Sequence, residues 1–211
     1  MNAFPLVLGT HNSKKKKELV QLLSPFGFTL LTLADFPNAL AVEESGSTFA
    51  ENATLKAVQQ AKHLKHWVLG EDSGLSVDAL EGAPGVYSAR FAGPQASDEQ
   101  NNDVLLEKLS NVPLEKRTAH YTCHATLADP LGTVRFDCED RCSGRIRFER
   151  AGKAGFGYDP LFEIPEYHLT FGELGDAVKA VLSHRARAIR RLTPALIRLA
   201  QSDHWKPVRG C

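Results

Sequence analysis

The chain has 211 residues, of which 43% are hydrophobic, and its 25 basic side chains balance its 25 acidic ones. This composition is ordinary for a soluble globular protein and excludes a disordered chain, a coiled coil and a collagen-like repeat. The chain has no apolar run of the ~18 residues that a membrane span needs. Its zero net charge argues against a nucleic-acid binder. Its four cysteines are too few for a disulfide scaffold. We therefore expect a cytoplasmic protein that does not contact a membrane and does not bind nucleic acid stably.

The first third of the chain alternates short apolar runs with segments of helical pattern. A buried strand is predicted over residues 5–9, and Asn12 or Ser13 is placed to cap the helix that follows. A second strand is predicted over residues 29–33. A Thr-x-x-Glu capping box at residues 48–51 opens a further helix.

The middle of the chain begins with another apolar run. A buried strand is predicted over residues 67–70, and the polar residues 71–74 are expected to follow it at its C-terminal end. A second capping box, at residues 97–100, starts a helix that extends through Leu109.

The remainder of the chain changes from period-two alternation to a helical pattern. Residues 118–148 predict an antiparallel hairpin with a turn at 129–132 and a candidate third strand at 144–148. After a glycine-rich segment at 151–160, one helix is predicted from about residue 176 to 201. Strand and helix alternation around a hairpin indicates a single two-lobed α/β domain with a mixed sheet.

The first candidate ligand site is the polar loop at residues 9–15, between a predicted strand and a predicted helix. Ligand sites of α/β sheets gather at such positions, and a helix N-terminus favours phosphate. The glycine spacing of a Walker A loop or a dinucleotide fingerprint is absent. The alternative interpretation is a plain capped helix with a solvated lysine run.

The second candidate is acidic. Glu71 and Asp72 are adjacent at the end of a predicted buried strand, where such a pair is costly unless it is matched by a cation. With Glu44 they could supply the oxygen ligands that Mg²⁺ prefers. A capped turn is the alternative.

A third and a fourth candidate lie near the C-terminus. Phe156, between two glycines, could be an aromatic platform for a base or a hydrophobic anchor for the loop. His184 and Arg185 could donate to a keto oxygen or a phosphate, or could lie on a surface helix. A zinc site is disfavoured because Cys123 and its neighbour His124 would point to opposite faces of a strand.

Six segments, in this order and at these separations, resemble the inosine triphosphate pyrophosphatase family of house-cleaning enzymes for non-standard purine nucleotides. The segments are residues 10–18, 44–57, 71–75, 82–93, 155–160 and 183–185. Many family members carry an acid pair shortly before the lysine that precedes the Ser-His-Arg segment, and this chain departs from that pattern at residues 175–179.

The resemblance implies a two-lobed mixed-sheet fold with a central substrate cleft, usually in a homodimer. The implied reaction is the Mg²⁺-dependent hydrolysis of ITP, dITP and XTP to the monophosphate and pyrophosphate, which keeps these nucleotides out of DNA and RNA. The alternatives are a nucleotide pyrophosphatase with another base preference and a non-enzymatic nucleic-acid-binding module. The resemblance does not extend over residues 202–211, which we expect to be a mobile tail.

The resemblance also implies roles for individual residues. Asp72 matches the general base, and Glu44 and Asp72 match the metal-binding acids. The positions that match substrate contacts are Thr10, His11, Asn12, Ser13, Lys14, Lys15, Lys56, Ser73, Phe156, Gly157, Tyr158, Asp159, Lys179, His184 and Arg185.

Overall fold

The strands and helices follow one another much as the apolar pattern predicts. A computed structural model describes residues 4–202 and Trp205. The strands are β1 (Phe4–Leu8), β2 (Phe28–Thr32), β3 (Val68–Val77), β4 (Thr118–Ala128), β5 (Val134–Ile146), β6 (Phe162–Ile164) and β7 (Leu169–Thr170). The α-helices are α1 (Ser13–Leu23), α2 (Phe49–Leu64), α3 (Asp98–Lys108), α4 (Phe171–Leu182) and α5 (His184–Gln201).

All seven strands belong to one mixed sheet, in the order β2-β1-β3-β4-β5-β6-β7. Strand β1 pairs in parallel with β2 and with β3, and its Leu8 lies opposite Leu69 of β3. Strands β5, β6 and β7 pair antiparallel. The sheet therefore confirms the predicted α/β class, and the parallel part is where strand-to-helix loops can carry a ligand site.

Capping side chains begin the helices where the sequence predicts them. The side chain of Asn12 caps α1, and the capping boxes at Thr48 and Ser97 open α2 and α3. Each cap satisfies backbone N–H groups that have no partner inside the helix.

The predictions for three elements are wrong. Strand β3 does not end at residue 70 but continues through the polar residues to Val77, and residues 144–146 belong to β5 rather than to a third strand. The predicted helix at 176–201 is two helices, α4 and α5, separated by the extended backbone of Ser183. Helix α4 also begins five residues earlier, at Phe171, where Thr170 forms a capping box that the sequence search missed.

The chain forms two compact units. Unit 1 contains Met1–Asp72, Cys123–Asp140 and Arg185–Cys211, and unit 2 contains Ser73–Thr122 and Arg141–His184. Each unit has its own hydrophobic core. That of unit 1 includes the face-to-face stack of Trp67 on Trp205, with ring centroids 4.1 Å apart, and that of unit 2 is built around Tyr121, Phe162 and Phe171.

Two sequence predictions stay outside what this fold settles. The tail at residues 202–211 lies outside the described residues except for Ser202 and Trp205, and Trp205 is buried. The central cleft that the resemblance implies stays a prediction. No helix in residues 4–202 combines the length and apolar character of a membrane span.

Strand β3 and helix α2 approach each other closely at Gly70. A Cβ atom at this position would lie 2.3 Å from the carbonyl oxygen of Ala53 and 2.6 Å from the backbone nitrogen of Ala57. We predict that Gly70→Ala lowers the free energy of unfolding by about 2 kcal/mol or more, because both opposing atoms are backbone and cannot move aside. Urea denaturation measures the change, with Gln59→Ala on the exposed face of α2 as the control. Equal midpoints for the two variants would contradict this close approach.

Candidate active site

The turn between β1 and α1 is closed by its own side chains. Oδ1 of Asn12 accepts hydrogen bonds from the backbone N–H groups of Lys14 and Lys15, each at 3.0 Å. The N–H of Asn12 donates to Oγ1 of the buried Thr10 at 3.2 Å, and a ring nitrogen of His11 lies 3.1 Å from the carbonyl oxygen of Leu40. These contacts are those of a capped helix, the alternative interpretation of the loop. Two N–H groups at the start of α1 that could have donated to a phosphate already donate to the side chain of Asn12.

The same loop directs one lysine toward the acids of β3. Nζ of Lys15 lies 3.3 Å from Oε2 of Glu71 and 3.7 Å from Oδ1 of Asp72. Ser13 and Lys14, the other residues of the predicted phosphate loop, lie exposed at the start of α1. Lys15 is thus the member of the lysine run whose described ion pairs reach the buried carboxylates.

A second lysine reaches the same carboxylates from α2. Nζ of Lys56 lies 3.0 Å from Oδ1 of Asp72 and 3.2 Å from Oε1 of Glu44. Burial alone would lower the pKa of Lys56, but the attraction of Asp72, Glu44 and Glu71 outweighs it and raises the pKa above the ordinary value. Lys56 therefore keeps its charge throughout the neutral range and offers a fixed cation at this point.

Asn52 belongs to this cluster, although no role is predicted for it from the sequence. It lies one helical turn before Lys56, and its Nδ2 donates to Oδ2 of Asp72 at 3.4 Å. Its Oδ1 accepts from the N–H of Gly46 at 2.8 Å, which ties the segment after Glu44 to α2. The four-residue spacing of Asn52 and Lys56 puts both on one helix face, and this spacing could have predicted that Asn52 lies at the same site as Lys56.

Glu44 and Asp72 are suited to hold a divalent cation. Their carboxylates converge on one positive charge, the ammonium group of Lys56, and both offer the hard oxygen ligands that Mg²⁺ takes. Two carboxylates are sufficient where phosphates supply further oxygens. Within residues 4–202 and Trp205, no three His, Cys, Asp or Glu side chains are grouped as a metal site.

Arg185 lies beneath this cluster and is 1% exposed. Its Nε and Nη2 donate to Oε1 of Glu71 at 3.2 and 2.9 Å, and its Nη1 donates to Glu18 of α1. These carboxylates raise the pKa of Arg185 despite its burial. The neighbouring Cys123, whose Sγ donates to Glu71, is itself buried, and its burial raises the pKa of its thiol. The guanidinium group thus holds two acids in place here, and its predicted contact with a nucleotide stays a prediction.

Residues 156–159 of unit 2, which the resemblance matches to a base-binding loop and which we call the Phe156 loop, are organised around Asp159. Oδ2 of Asp159 accepts from the N–H of Phe156 at 2.7 Å and from Nζ of Lys179 at 2.5 Å. The same ammonium group lies 4.2 Å from the ring centroid of the half-buried Phe156, a cation–π contact. Gly155, at φ 76°, has no room for a side chain because a Cβ would lie 2.1 Å from that carboxylate oxygen.

Two further predicted contact residues are buried in unit 2. The hydroxyl of Tyr158 donates to the carbonyl oxygen of Ser88 at 2.8 Å, and burial raises its pKa. The ring of His184 stacks on Tyr121 with centroids 4.7 Å apart.

Ser73, another predicted substrate contact, is half-buried within β3 and does not lie in a loop. The structure thus groups Lys15, Lys56, Glu44 and Asp72 in unit 1, and Phe156, Asp159 and Lys179 in unit 2.

A lysine–carboxylate cluster beside the strand-to-helix loop of a mixed sheet is typical of α/β proteins that handle phosphates and their counter-cations. The sequence model of the Ham1 family matches residues 6–195. The chain therefore belongs to the Ham1 family.

Individual relatives agree with this assignment. The chain is 57% identical over 200 residues to a dITP/XTP pyrophosphatase of Rhodopirellula baltica, with 95% of this chain and 96% of the relative covered. It is 51% identical over 195 residues to a dITP/XTP pyrophosphatase of Exiguobacterium sp., covering 91% and 96%. A solved structure of a HAM1 protein from Coxiella burnetii superposes with a TM-score of 0.84 at 36% identity, covering 92% of this chain and 99% of the other.

The buried Arg185 generates a stability prediction. Arg185→Ala removes both guanidinium donors from Oε1 of the fully buried Glu71 and leaves Lys15 beside Oε2. Because removing one partner of a buried ion pair leaves part of the buried charge without compensation, we predict a loss of about 3–5 kcal/mol in the free energy of unfolding. Arg187→Ala, at an exposed position two residues later in α5, is the control. Urea denaturation compares them, and a loss below about 1 kcal/mol for Arg185→Ala would refute the structural role of its ion pairs.

Proposed function

We propose that this protein hydrolyses the non-standard purine nucleoside triphosphates ITP, dITP and XTP to the monophosphate and pyrophosphate. The observation that carries the proposal is the cluster of Lys15, Lys56, Glu44 and Asp72, in which two cations and two acids meet within 3.0–3.7 Å. The names of the relatives, dITP/XTP pyrophosphatases, support the substrate class. Hydrolysis at this cluster would keep such nucleotides out of DNA and RNA.

The two lysines are proposed to bind the triphosphate. Both ammonium groups now face carboxylates, and a polyphosphate offers the same kind of anionic oxygen at higher charge. The hydroxyl of Thr10, a buried residue in the loop after β1, is proposed to add a further donor. Positive charge held in place before the reaction stabilises the charge that develops on departing pyrophosphate.

Glu44 and Asp72 are proposed to hold Mg²⁺. When bound, this ion offsets the negative charge of the phosphates and lowers the pKa of a bound water. Asp72 is also the proposed general base. It accepts a proton from the water whose oxygen attacks phosphorus, while the phosphoanhydride bond between the α- and β-phosphates breaks. Asn52 and Lys56 hold the two oxygens of Asp72, so the carboxylate keeps one orientation.

The Phe156 loop is proposed to bind the base. One face of its ring lies against the ammonium group of Lys179, which offers a hydrogen-bond donor, and the other face is proposed to stack on the base. Hypoxanthine and xanthine present a 6-keto acceptor to such a donor, whereas adenine presents a 6-amino group that leaves the donor unpaired. A mismatch of this kind disfavours ATP by a large factor. Homodimer formation, which the resemblance implies, and the cytoplasmic location that the composition leads us to expect complete the proposal.

A substrate panel tests the activity and its metal dependence. We expect pyrophosphate release from ITP, dITP and XTP with Mg²⁺ and none with EDTA, and rates for ATP at least about a hundredfold lower. Release from dUTP instead would keep the phosphate chemistry and overturn the base assignment. Release from no nucleotide, together with salt-sensitive retention on DNA or RNA, would favour the nucleic-acid-binding alternative.

A substitution at the general base tests the mechanism. Asp72→Asn removes the proton acceptor and one proposed metal ligand together, so we expect kcat for ITP to fall by at least about a thousandfold. Glu43→Gln, at an exposed acid next to Glu44, is the matched control and should keep kcat within about twofold. Circular dichroism confirms that both variants are folded, and turnover by folded Asp72→Asn at the unaltered rate would overturn the mechanism.

A further inference from the structure

We propose that Asp98 and Asn102, both on α3, are positioning residues that fix the Phe156 loop by holding Gly157 at its centre. The N–H of Gly157 donates to Oδ2 of Asp98 at 2.8 Å, and the carbonyl oxygen of Gly157 accepts from Nδ2 of Asn102 at 2.9 Å. Both hydrogen-bonding groups of one loop residue are therefore engaged by two side chains of one helix. The four-residue spacing of Asp98 and Asn102 puts them on the same helix face.

The amide of Asn102 is held in one orientation. Its Nδ2 also donates to the backbone carbonyl oxygen of Asp98 at 2.7 Å, so the nitrogen faces two carbonyl acceptors and the oxygen must face away. That oxygen is buried and has no hydrogen-bond partner among the described residues, while the whole residue is 3% exposed. An apolar side chain of similar size would avoid this cost. What the amide contributes is therefore its two donated hydrogen bonds.

Helix α3 is a firm support for this contact. Its N-terminus is closed by the capping box of Ser97 and Gln100, and its apolar side chains Leu105 and Leu109, the latter at its C-cap, are fully buried in the core of unit 2. A side chain on a capped and packed helix holds a loop more accurately than another loop residue would.

The contact acts at the point that sets the direction of the aromatic ring. Gly157 has φ 63°, so the chain turns sharply between Phe156 and Tyr158. The neighbours are held separately, Phe156 through the carboxylate of Asp159 and Tyr158 through the carbonyl oxygen of Ser88. Asp98 and Asn102 fix the residue between them, so the ring is placed before any ligand arrives.

This placement has a kinetic consequence, which rests on the proposed base-binding role of the loop. A loop already ordered loses little entropy when a base stacks on it, and loosening the loop transfers that cost to binding. Asp98→Ala and Asn102→Leu are therefore expected to lower kcat/KM for ITP by about tenfold each, the size expected for one lost hydrogen bond to a charged or buried group, mainly through KM.

Amide hydrogen exchange of residues 155–159 in the ligand-free protein tests the positioning itself. We expect exchange in this segment to quicken at least about tenfold in Asp98→Ala and Asn102→Leu, because local opening becomes easier. Asp98→Asn keeps an oxygen that accepts from Gly157 and should restore slow exchange. Asp103→Ala, on the same helix but paired with Arg150 at 2.7 Å, is the control and should change neither exchange nor kinetics.

The two readouts separate the two proposals. Unaltered exchange in both Asp98→Ala and Asn102→Leu overturns the positioning role, whatever the enzyme does. Quickened exchange with an unaltered KM for ITP supports the positioning and overturns the consequence for base binding. Absence of pyrophosphate release from ITP in the unsubstituted protein overturns the proposed function, and the exchange result still decides the positioning. If Asp98→Ala quickens exchange throughout β4, which indicates global unfolding, Asn102→Leu decides instead.

Discussion

The structure depends on two adjacent carboxylates, Glu71 and Asp72, buried in the middle of strand β3. A buried carboxylate is tolerated only when cations and hydrogen-bond donors replace the water that it has lost. Three elements supply them here. Helix α1 brings Lys15, α2 brings Lys56, and α5 brings Arg185. The electrostatic requirement of one strand thus determines how three helices of unit 1 must be placed around it.

The same requirement gives unit 1 the cations that the proposed phosphate chemistry needs. Two ammonium groups are held beside Asp72 at fixed distances, and their charge is already desolvated before an anionic ligand arrives. Asn52 adds a donor to the second oxygen of Asp72. The deeper pair of Glu71 and Arg185 has a structural role. Arg185 holds the carboxylate of Glu71 in place, and that carboxylate in turn pairs with Lys15 next to Asp72. Glu71 therefore has a structural role, while the proposed chemical role falls to its neighbour Asp72.

In unit 2, the corresponding constraint is that an aromatic side chain must be held in place within a glycine-rich loop. Such a loop has little core of its own, so hydrogen bonds from outside it must supply the order. Asp159 closes the loop on itself and on Lys179, while Asp98 and Asn102 hold it from α3. The alternative interpretation of Phe156 as a hydrophobic anchor fits less well, because the ring is half-buried and faces an ammonium group rather than an apolar core.

The sequence by itself determined the starts of α1, α2 and α3, the mixed α/β class and the family, because caps, apolar periodicity and ordered motifs are local signals. It was wrong where distant partners decide. The polar residues after Gly70 looked like a strand end, yet β3 continues through them, since Lys15, Lys56 and Arg185 neutralise acids that would otherwise require water. Only the tertiary structure could assign Asp98 and Asn102 to Gly157, more than fifty residues away, because a hydrogen bond across that separation leaves no periodic trace in the chain.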